Sequence, residues 1–150
     1  MEPTHDDGSQ MTTARKECGD RHLAAVRLLL ESALGRGEVK LLPELIDPLY
    51  VGHLPIGDHY GPEGVRIDIA AYRSALPDLT VTIDELIELD DRVIRRYTIR
   101  GTHQGPLLGL PPTAQPIELR MVAIDRLEAG RLVESWVMVS GPQRGGEASG

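Results

Sequence analysis

Two histidines and two tyrosines lie in one Gly- and Pro-rich segment, LYVGHLPIGDHYGPEG, which runs from residue 49 to residue 64. This composition predicts an irregular connection, and connections often carry binding and catalytic groups. His53 is the leading candidate for proton transfer there, because an imidazole titrates near neutral pH. The alternative is a histidine that is hydrogen-bonded within the loop. His59 and Tyr60 are further candidates for substrate contact, and the alternative is that both face solvent.

Asp125 and Arg95 are charged residues at positions where the neighbouring side chains of the same strand face are apolar. Burial raises the pKa of a carboxyl unless a cation answers it, and Arg95 is the obvious cation. The pair predicts either an acid/base or substrate-orienting site at the end of a pocket, or a structural ion pair. Glu85, on the preceding strand, is an alternative partner for Arg95.

The remaining candidates are aromatic or lie at strand ends. Tyr97 and Tyr72 are predicted to face inward, where a hydroxyl orients a substrate carbonyl or completes the core with a satisfied hydrogen bond. Trp136, the single tryptophan, fits packing or an interface better than a platform for stacking substrate. His103 ends its strand and is expected to brace the apolar loop that follows it. Arg96 is predicted to face outward, which favours a structural salt bridge.

The elements that must position these residues are three helices followed by four strands. Apolar spacing predicts helices over about 20–34, 39–46 and 62–76, and a change to alternation predicts strands over about 79–88, 92–102, 116–127 and 131–140. This order indicates an α+β fold, in which the helices pack on a curved antiparallel sheet that encloses a pocket. Residues 1–18 and 142–150 are predicted to be flexible tails around one domain, 19–141.

The turn Glu128–Gly130 sets the predicted register of the last two strands. If it pairs Leu127 with Arg131, then Asp125 faces Val133, Ala123 faces Ser135 and Met121 faces Val137, and directly opposed side chains lie about 5 Å apart. The sequence therefore predicts one small, almost entirely apolar region on the inward face, with these substrate-contacting residues: Met121, Ala123, Ser135 and Val137. The last strand has apolar residues on both faces, which suggests that both are covered.

Composition excludes several classes of partner. The net charge of −7 gives no general attraction to nucleic acid or anionic lipid. No apolar run reaches the roughly 20 residues of a membrane span, and the first residues lack the order of a signal peptide. The single Cys18 makes neither an internal disulfide nor a metal site. We expect a cytoplasmic protein without a metal or cofactor and with a small-molecule partner.

Three segments together resemble the SnoaL-like polyketide cyclases of the NTF2-like superfamily: GPEGVRIDIAAYRSALPDLTV, RYTIRGTHQGPLLGLPPT and DRLEAGRLVESW. The likeness covers roughly Asp20 to Ser140. It implies a cone-shaped fold with a deep pocket and usually an oligomer, here a homodimer or higher. It also implies that His53 lies near the pocket mouth, where the family often has a polar residue.

The resemblance also implies which acid/base groups this chain lacks. In the aldol-closing cyclases of the family, the tryptophan-like position near the end is followed by an aspartate that transfers protons, and Val137 stands there. A glutamine and a histidine on the preceding strand correspond to Met121 and Ala123. Three apolar residues neither move a proton nor hold an enolate, so the unmodified aldol mechanism is not expected.

The resemblance and the residues together predict a tailoring enzyme of polyketide-type natural-product biosynthesis. It would cyclise or rearrange a hydrophobic intermediate by orienting it in an apolar pocket or by using His53 or Asp125 as another acid/base. One alternative is an epoxide-opening or cyclic-ether-forming enzyme with Asp125 and Glu85 facing each other. Another is a small-molecule-binding module without catalysis.

Overall fold

The computed structural model of the protein describes residues 3–144, with side chains described from residue 15 to residue 143. The first helix, α1, spans Pro3–Arg27 and continues as a π-helical stretch, Leu28–Leu34. Its buried apolar side chains, Val26, Leu30 and Ala33, recur at the helical spacing seen in the sequence. The helix begins far earlier than residue 20, so residues 3–18 are helical where a tail was predicted. Residues 1–2 lie outside the described part.

Two shorter helical elements complete the helical layer. A 3₁₀ turn, Val39–Leu41, leads into α2, Leu42–Leu45. The helix α3 spans Gly61–Ala75 and has Pro62 in its first turn, as the sequence predicted, because proline fits a position whose N–H needs no helical partner. Leu76 ends it in a non-helical conformation.

The segment predicted to be an irregular connection is a β-hairpin, so that prediction was wrong. Strand β1 spans Ile46–Leu54 and β2 spans Gly57–Tyr60. The two are antiparallel, with His53 opposite Asp58, and Gly57 takes a φ of +131° at the turn. Glycine is favoured there because it has no side chain to clash in that conformation. The hairpin thus gives His53 and His59 fixed positions.

Across residues 3–144, six strands form one curved sheet in the order β2-β1-β6-β5-β4-β3. The last four are β3, Thr80–Leu89; β4, Arg92–Thr102; β5, Pro116–Glu128; and β6, Arg131–Arg144. They form the predicted antiparallel meander. One pair, β1 with β6, is parallel. The predicted α+β fold is confirmed, with a mixed sheet in place of a wholly antiparallel one. Residues 145–150 of the predicted C-terminal tail lie outside the described part.

A tighter turn and a β-bulge at Val133 together change the predicted register of β5 and β6, because Glu128 and not Leu127 pairs with Arg131. Leu127 pairs with Leu132 and Arg126 pairs with Glu134, so Val133 has no counterpart on β5. The extra residue switches the inward positions of β6 from even numbers, as at Leu132, to odd numbers beyond it, so that Ser135 and Val137 face inward. Beyond it, Asp125 pairs with Ser135, Ala123 with Val137 and Met121 with Val139, which corrects each predicted pair. The bulge also explains why β6 shows apolar residues of both parities.

A second bulge, at Asp84, moves Glu85 away from the inward face. Ile83 pairs with Tyr97, whereas Glu85 pairs with Arg96. The Glu85 side chain is 53% exposed and binds Arg96, with Nη2 and Oε1 3.4 Å apart. Glu85 is therefore neither the partner of Arg95 nor able to face Asp125, and both suggestions were wrong.

The core lies between the helices and the inward face of the sheet. It joins Val26, Leu30 and Ala33 of the first helix to Leu119 and Met121 of β5, all of them almost completely buried. The helices cover one face of the sheet and leave a cavity between α3 and the strands.

Candidate active site

A cavity of about 70 Å³ lies between the π-helical stretch, α3 and the inward face of the sheet. One cavity of this size holds several water-sized molecules. Its wall is mainly aliphatic, with five residues that carry polar side-chain atoms: Tyr50, Asp68, Tyr72, Arg95 and Tyr97. The aliphatic part is contributed by Leu29, Leu30, Leu34, Leu54, Val65, Ile69, Met121 and Val137. An apolar wall with a few convergent polar groups is the usual form of a small-molecule site.

Arg95 and Asp125 form a two-point ion pair behind the cavity wall. Arg95 Nε donates to Asp125 Oδ2 at 2.8 Å and Nη2 donates to Oδ1 at 3.0 Å, and Asp125 is completely buried. Ser135 Oγ also donates to Asp125 Oδ1, at 2.6 Å. Burial by itself lowers the pKa of Arg95, but the charge and hydrogen bonding of Asp125, together with Tyr97 and Tyr50, outweigh burial and raise it. The guanidinium is therefore a fixed positive charge at the cavity.

Three tyrosine hydroxyls lie around this charge. Arg95 Nη1 is 3.3 Å from Tyr97 Oη, and the guanidinium carbon lies 5.2 Å from the centre of the Tyr97 ring. Burial raises the pKa of Tyr97, of Tyr72 and of Tyr50, the last to about 12 despite a hydrogen bond with Ser135. All three hydroxyls are consequently neutral at physiological pH. Because Ser135 donates its proton to Asp125, the Tyr50 hydroxyl donates to Ser135. The hydroxyls of Tyr72 and Tyr97 are left to donate to a bound molecule.

Tyr50 was not identified from the sequence, although the alternation of β1 could have shown it. Tyr50 and Leu54 line the cavity, and Gly52 between them shares their face. A Cβ at Gly52 would lie 2.8 Å from the Tyr50 hydroxyl, so glycine leaves the space that Tyr50 occupies. Because His53 has the opposite parity to these residues, β1 turns it to the outer face of the sheet.

Asp68 is the second group that the sequence interpretation missed. It lies on α3 three residues after Val65 and four before Tyr72, and all three line the cavity. His59 Nδ1 lies 2.5 Å from Asp68 Oδ1. Burial raises the pKa of Asp68 to about 6, although the charge and hydrogen bonding of His59 act in the opposite direction. A carboxylate within an apolar helical stripe was the available sequence signal.

His53 does not lie at the cavity mouth, which corrects the position expected from the resemblance. Its Nε2 is 2.8 Å from Glu134 Oε2 and its Nδ1 is 3.1 Å from Asp58 Oδ1. The ring stacks on Trp136, with centroids 5.6 Å apart. Trp136 therefore packs on the outer face, as its packing or interface interpretation predicted, and Arg92 lies over it. Tyr60 is 64% exposed and is also away from the cavity.

The predicted apolar region is present in part. Met121 and Val137 line the cavity, whereas Ala123 and Ser135 are fully buried behind the wall. Ser135 holds Asp125 there and does not contact the cavity. His103, predicted to brace the loop after β4, is buried and lies 3.3 Å from the hydroxyl of Thr113 in that loop.

Neither a metal cluster nor a membrane helix is found in residues 3–144. The described side chains contain no group of three or more His, Cys, Asp or Glu arranged for a metal ion. Within the same range, the helices fall short of the length and apolar character that a membrane span needs.

Comparison with known proteins gives a consistent set of relatives. The family model of SnoaL-like polyketide cyclases matches residues 24–140. IdmH from Streptomyces antibioticus, described as a candidate polyketide cyclase, is 32% identical with a TM-score of 0.67, and the alignment covers 78% of this chain and 90% of IdmH. No curated protein sequence gives a significant match.

Two further structures extend the likeness. TsrD from Streptomyces laurentii is 28% identical with a TM-score of 0.69, over 78% of this chain and 89% of TsrD. A candidate SnoaL-like polyketide cyclase from Jannaschia sp. CCS1 has a TM-score of 0.72 at 20% identity, over 81% of this chain and 87% of the other, which shows the fold alone. The expected cone-shaped α+β fold agrees with all three.

Proposed function

This chain belongs to the SnoaL-like polyketide cyclase family, and we propose that it cyclises or rearranges a hydrophobic, carbonyl-bearing polyketide-type intermediate without a cofactor. One observation carries the proposal: three tyrosines and the fixed charge of Arg95 line an otherwise apolar cavity, and the Tyr97 hydroxyl lies next to that charge. The neighbour IdmH, described as a candidate polyketide cyclase, supports a tailoring role in polyketide chemistry.

The aliphatic wall supports binding of a hydrophobic intermediate in a restricted set of conformers. Because only about 70 Å³ is open, an intermediate of several rings would place one ring in the cavity or move the side chains that line it. Holding two reacting carbons in contact accelerates the reaction through orientation, as the high effective molarities of well-oriented intramolecular reactions show.

The tyrosine hydroxyls support activation of a carbonyl group. Neutral Tyr72 and Tyr97 can donate to a carbonyl oxygen on which negative charge develops as an enolate forms or a ring closes. Arg95 strengthens that effect from behind Tyr97, and Asp125 with Ser135 keeps the guanidinium in place. In this proposal Asp125 acts through Arg95 and does not contact the substrate.

The alternatives have less support. The proposed pairing of Asp125 with Glu85 for ether formation does not exist, because Glu85 is on the other face of the sheet. A binding module without catalysis would need the same apolar wall but no convergent hydroxyls. His53 is not proposed as a catalytic residue, since Glu134 and Asp58 hold it on the outer face.

The proposal is tested with the hydrophobic products of the neighbouring biosynthetic genes. Purified protein should convert one of them to an isomer of equal mass, or to a product that has lost one water, detected by liquid chromatography and mass spectrometry. Tyr72→Phe and Tyr97→Phe should each lower the rate about 10- to 100-fold, because each removes one donor to the developing oxyanion. Tyr60→Phe is the matched control, since Tyr60 is exposed. If Tyr72→Phe and Tyr97→Phe convert the substrate as fast as Tyr60→Phe, the proposal is contradicted.

We also propose that the chain forms a homodimer or a higher homo-oligomer. The outer face of the sheet carries a cross-strand row in which Ile94 pairs with Ile124 and Ile124 with Trp136, and Val122 pairs with Met138 beside it. Met138 is 56% exposed. An apolar row of this kind on one sheet face supports association with a second copy.

A further inference from the structure

We propose that Asp68 is the proton-transferring group of the cavity and that His59 positions it. This inference rests on the proposed function, because it names the acid/base that acts on the same carbonyl-bearing substrate. It places that acid/base on α3, on the wall opposite the strand positions where Met121 and Val137 stand. The cavity therefore has a proton-transferring group although these strand positions are apolar.

The geometry of the pair carries the proposal. Asp68 lines the cavity between Val65 and Tyr72, and its side chain is 18% exposed, so the carboxyl reaches the cavity while water is largely kept away. His59 Nδ1 lies 2.5 Å from Oδ1, an ion-pair contact. A carboxylate at the cavity wall, beside a histidine and within reach of a bound substrate, is placed to act as a general base.

The chain is arranged to hold His59 against α3. A Cβ at Gly64 would lie 3.1 Å from the Cβ of His59 and 3.2 Å from its carbonyl carbon. Glycine in the first turn of α3 thus lets the end of β2 approach the helix closely. The register of the β1–β2 hairpin, in which His59 pairs with Gly52, fixes the histidine from the other side.

The electrostatic surroundings fit a group that gains and loses a proton near neutral pH. The groups that face Asp68 are His59 from β2, Tyr72 from α3 and Tyr97 from β4. Arg95 of β4 and Tyr50 of β1 line the same cavity. A simple surface ion pair would lower the pKa of the carboxyl. Here burial outweighs His59 and raises the pKa of Asp68 to about 6. The ideal pKa of a catalytic acid/base is close to the working pH.

The proposed step balances without any other reactant. Asp68 takes the proton from the carbon next to a substrate carbonyl, and the electron pair of that C–H bond forms the C=C bond of an enolate. The carbonyl π electrons move to oxygen, which the tyrosine hydroxyls stabilise. When the enolate carbon bonds to a second carbonyl carbon, the displaced electron pair moves to that oxygen. The new oxyanion takes the proton back from Asp68, and the net change is an isomerisation.

The step is tested with the bicyclic ketone 1-tetralone in D₂O, by following exchange of its α-hydrogens with NMR. The wild-type protein should accelerate exchange, with a rate that rises with pH through about 6 as the carboxyl loses its proton. Asp68→Asn should lower the exchange rate at least ~100-fold and remove this acidic limb, because general base catalysis supplies 10²- to 10⁴-fold. His59→Gln should lower it about 10-fold and move the limb to higher pH, since it removes the charge and hydrogen bonding of His59 that lower the pKa of Asp68.

Asp58→Asn is the matched control. Asp58 lies on the same hairpin as His59, receives the same substitution and contacts His53 on the outer face, so exchange should not change. If Asp68→Asn exchanges as fast as wild type while Tyr72→Phe and Tyr97→Phe are slow, the inference is overturned and the proposed function stands.

A titration independent of activity separates the two proposals when the wild-type protein gives no exchange. The side-chain carboxyl of Asp68, followed by ¹³C NMR, should titrate near 6 and move upward in His59→Gln. That result supports the pair even if 1-tetralone is not turned over. If the Asp68 carboxyl titrates near its ordinary value of about 3.9 and its pKa does not change in His59→Gln, the inference is overturned.

Discussion

The Arg95–Asp125 pair shows how much a buried charge depends on its partners. Three hydrogen bonds from Arg95 and Ser135 satisfy the Asp125 carboxylate, at 2.6–3.0 Å, inside a fully buried position. Such a pair contributes little net stability as a whole, but removing one partner leaves an uncompensated charge. Arg96, one residue along β4, makes an exposed ion pair with Glu85 instead. Loss of the buried Arg95 pair should therefore destabilise the protein far more than loss of the exposed Arg96 pair.

We predict that Asp125→Asn is far more damaging than Arg96→Ala. The first should reduce the free energy of unfolding by about 3 kcal/mol and lower turnover, because it leaves Arg95 buried without a counter-charge. The second should change stability by less than about 1 kcal/mol, as exposed pairs do. Urea unfolding and the turnover rate at one substrate concentration measure both effects. Equal or reversed losses of activity would remove Asp125 from the site.

At the scale of elements, the β1–β2 hairpin decides which histidine can take part in chemistry. Strand β1 sends Tyr50 inward and His53 outward, whereas the end of β2 delivers His59 to α3. His53 then connects three strands, since it binds Asp58 of β2 and Glu134 of β6 from β1. Its role in the structure is consequently to hold the hairpin on the sheet.

This role predicts a pH-dependent contribution of His53 to stability. Hydrogen bonds to Glu134 and Asp58 raise the pKa of His53 above its ordinary 6.5. The contribution is therefore fully present below about pH 6.5 and is lost as pH rises through the higher folded pKa. His53→Gln should destabilise the protein more at pH 6 than at pH 9, measured by urea unfolding at both values.

His59→Gln serves as a comparison for this measurement, because its imidazole contacts one carboxyl of α3 and does not connect the hairpin to β6. A loss of stability in His53→Gln that is the same at pH 6 and pH 9 would contradict the role of the charged imidazole.

At the scale of the whole molecule, the two faces of the sheet have different roles. The inward face encloses the cavity with the helices, and the outer face carries Ile94, Ile124, Trp136 and Met138 next to ion pairs such as Arg126–Glu134. Since Trp136 is already packed by His53 and Arg92, the exposed part of this row is centred on Met138. This surface is where the proposed association between copies would occur.

We predict that Met138→Glu weakens self-association. A carboxylate in the centre of an apolar contact would have to lose its water, so the association constant should fall at least ~10-fold. Sedimentation equilibrium over a range of protein concentrations measures the change. Ile67→Glu is the control, because Ile67 is 50% exposed on α3, away from the sheet's outer face. A wild-type protein that sediments as a monomer at all concentrations would contradict the proposal.

The order of α3 and the last four strands, with the alternation of those strands, was readable from the sequence because it depends on local periodicity; the β1–β2 hairpin was not. The meander of β3 to β6, the helix α3 with Pro62 in its first turn, and the inward position of Arg95 and Asp125 all follow from local patterns, chiefly periods of 2 and 3.6 residues. The bulges at Val133 and Asp84 were not readable in this way. Each inserts one residue into an otherwise regular alternation, and its position depends on the partner strand.

The sequence by itself determined the family, the α+β layout and the apolar character of three strand positions, Met121, Ala123 and Val137, of which Met121 and Val137 line the cavity. Tertiary structure alone decided which polar groups converge on that cavity. The contact of His59 with Asp68 joins β2 to α3, and Tyr50 reaches Ser135 across the parallel β1–β6 pair. Local patterns show which face a side chain takes on its own element. Only packing shows which element comes to lie opposite it.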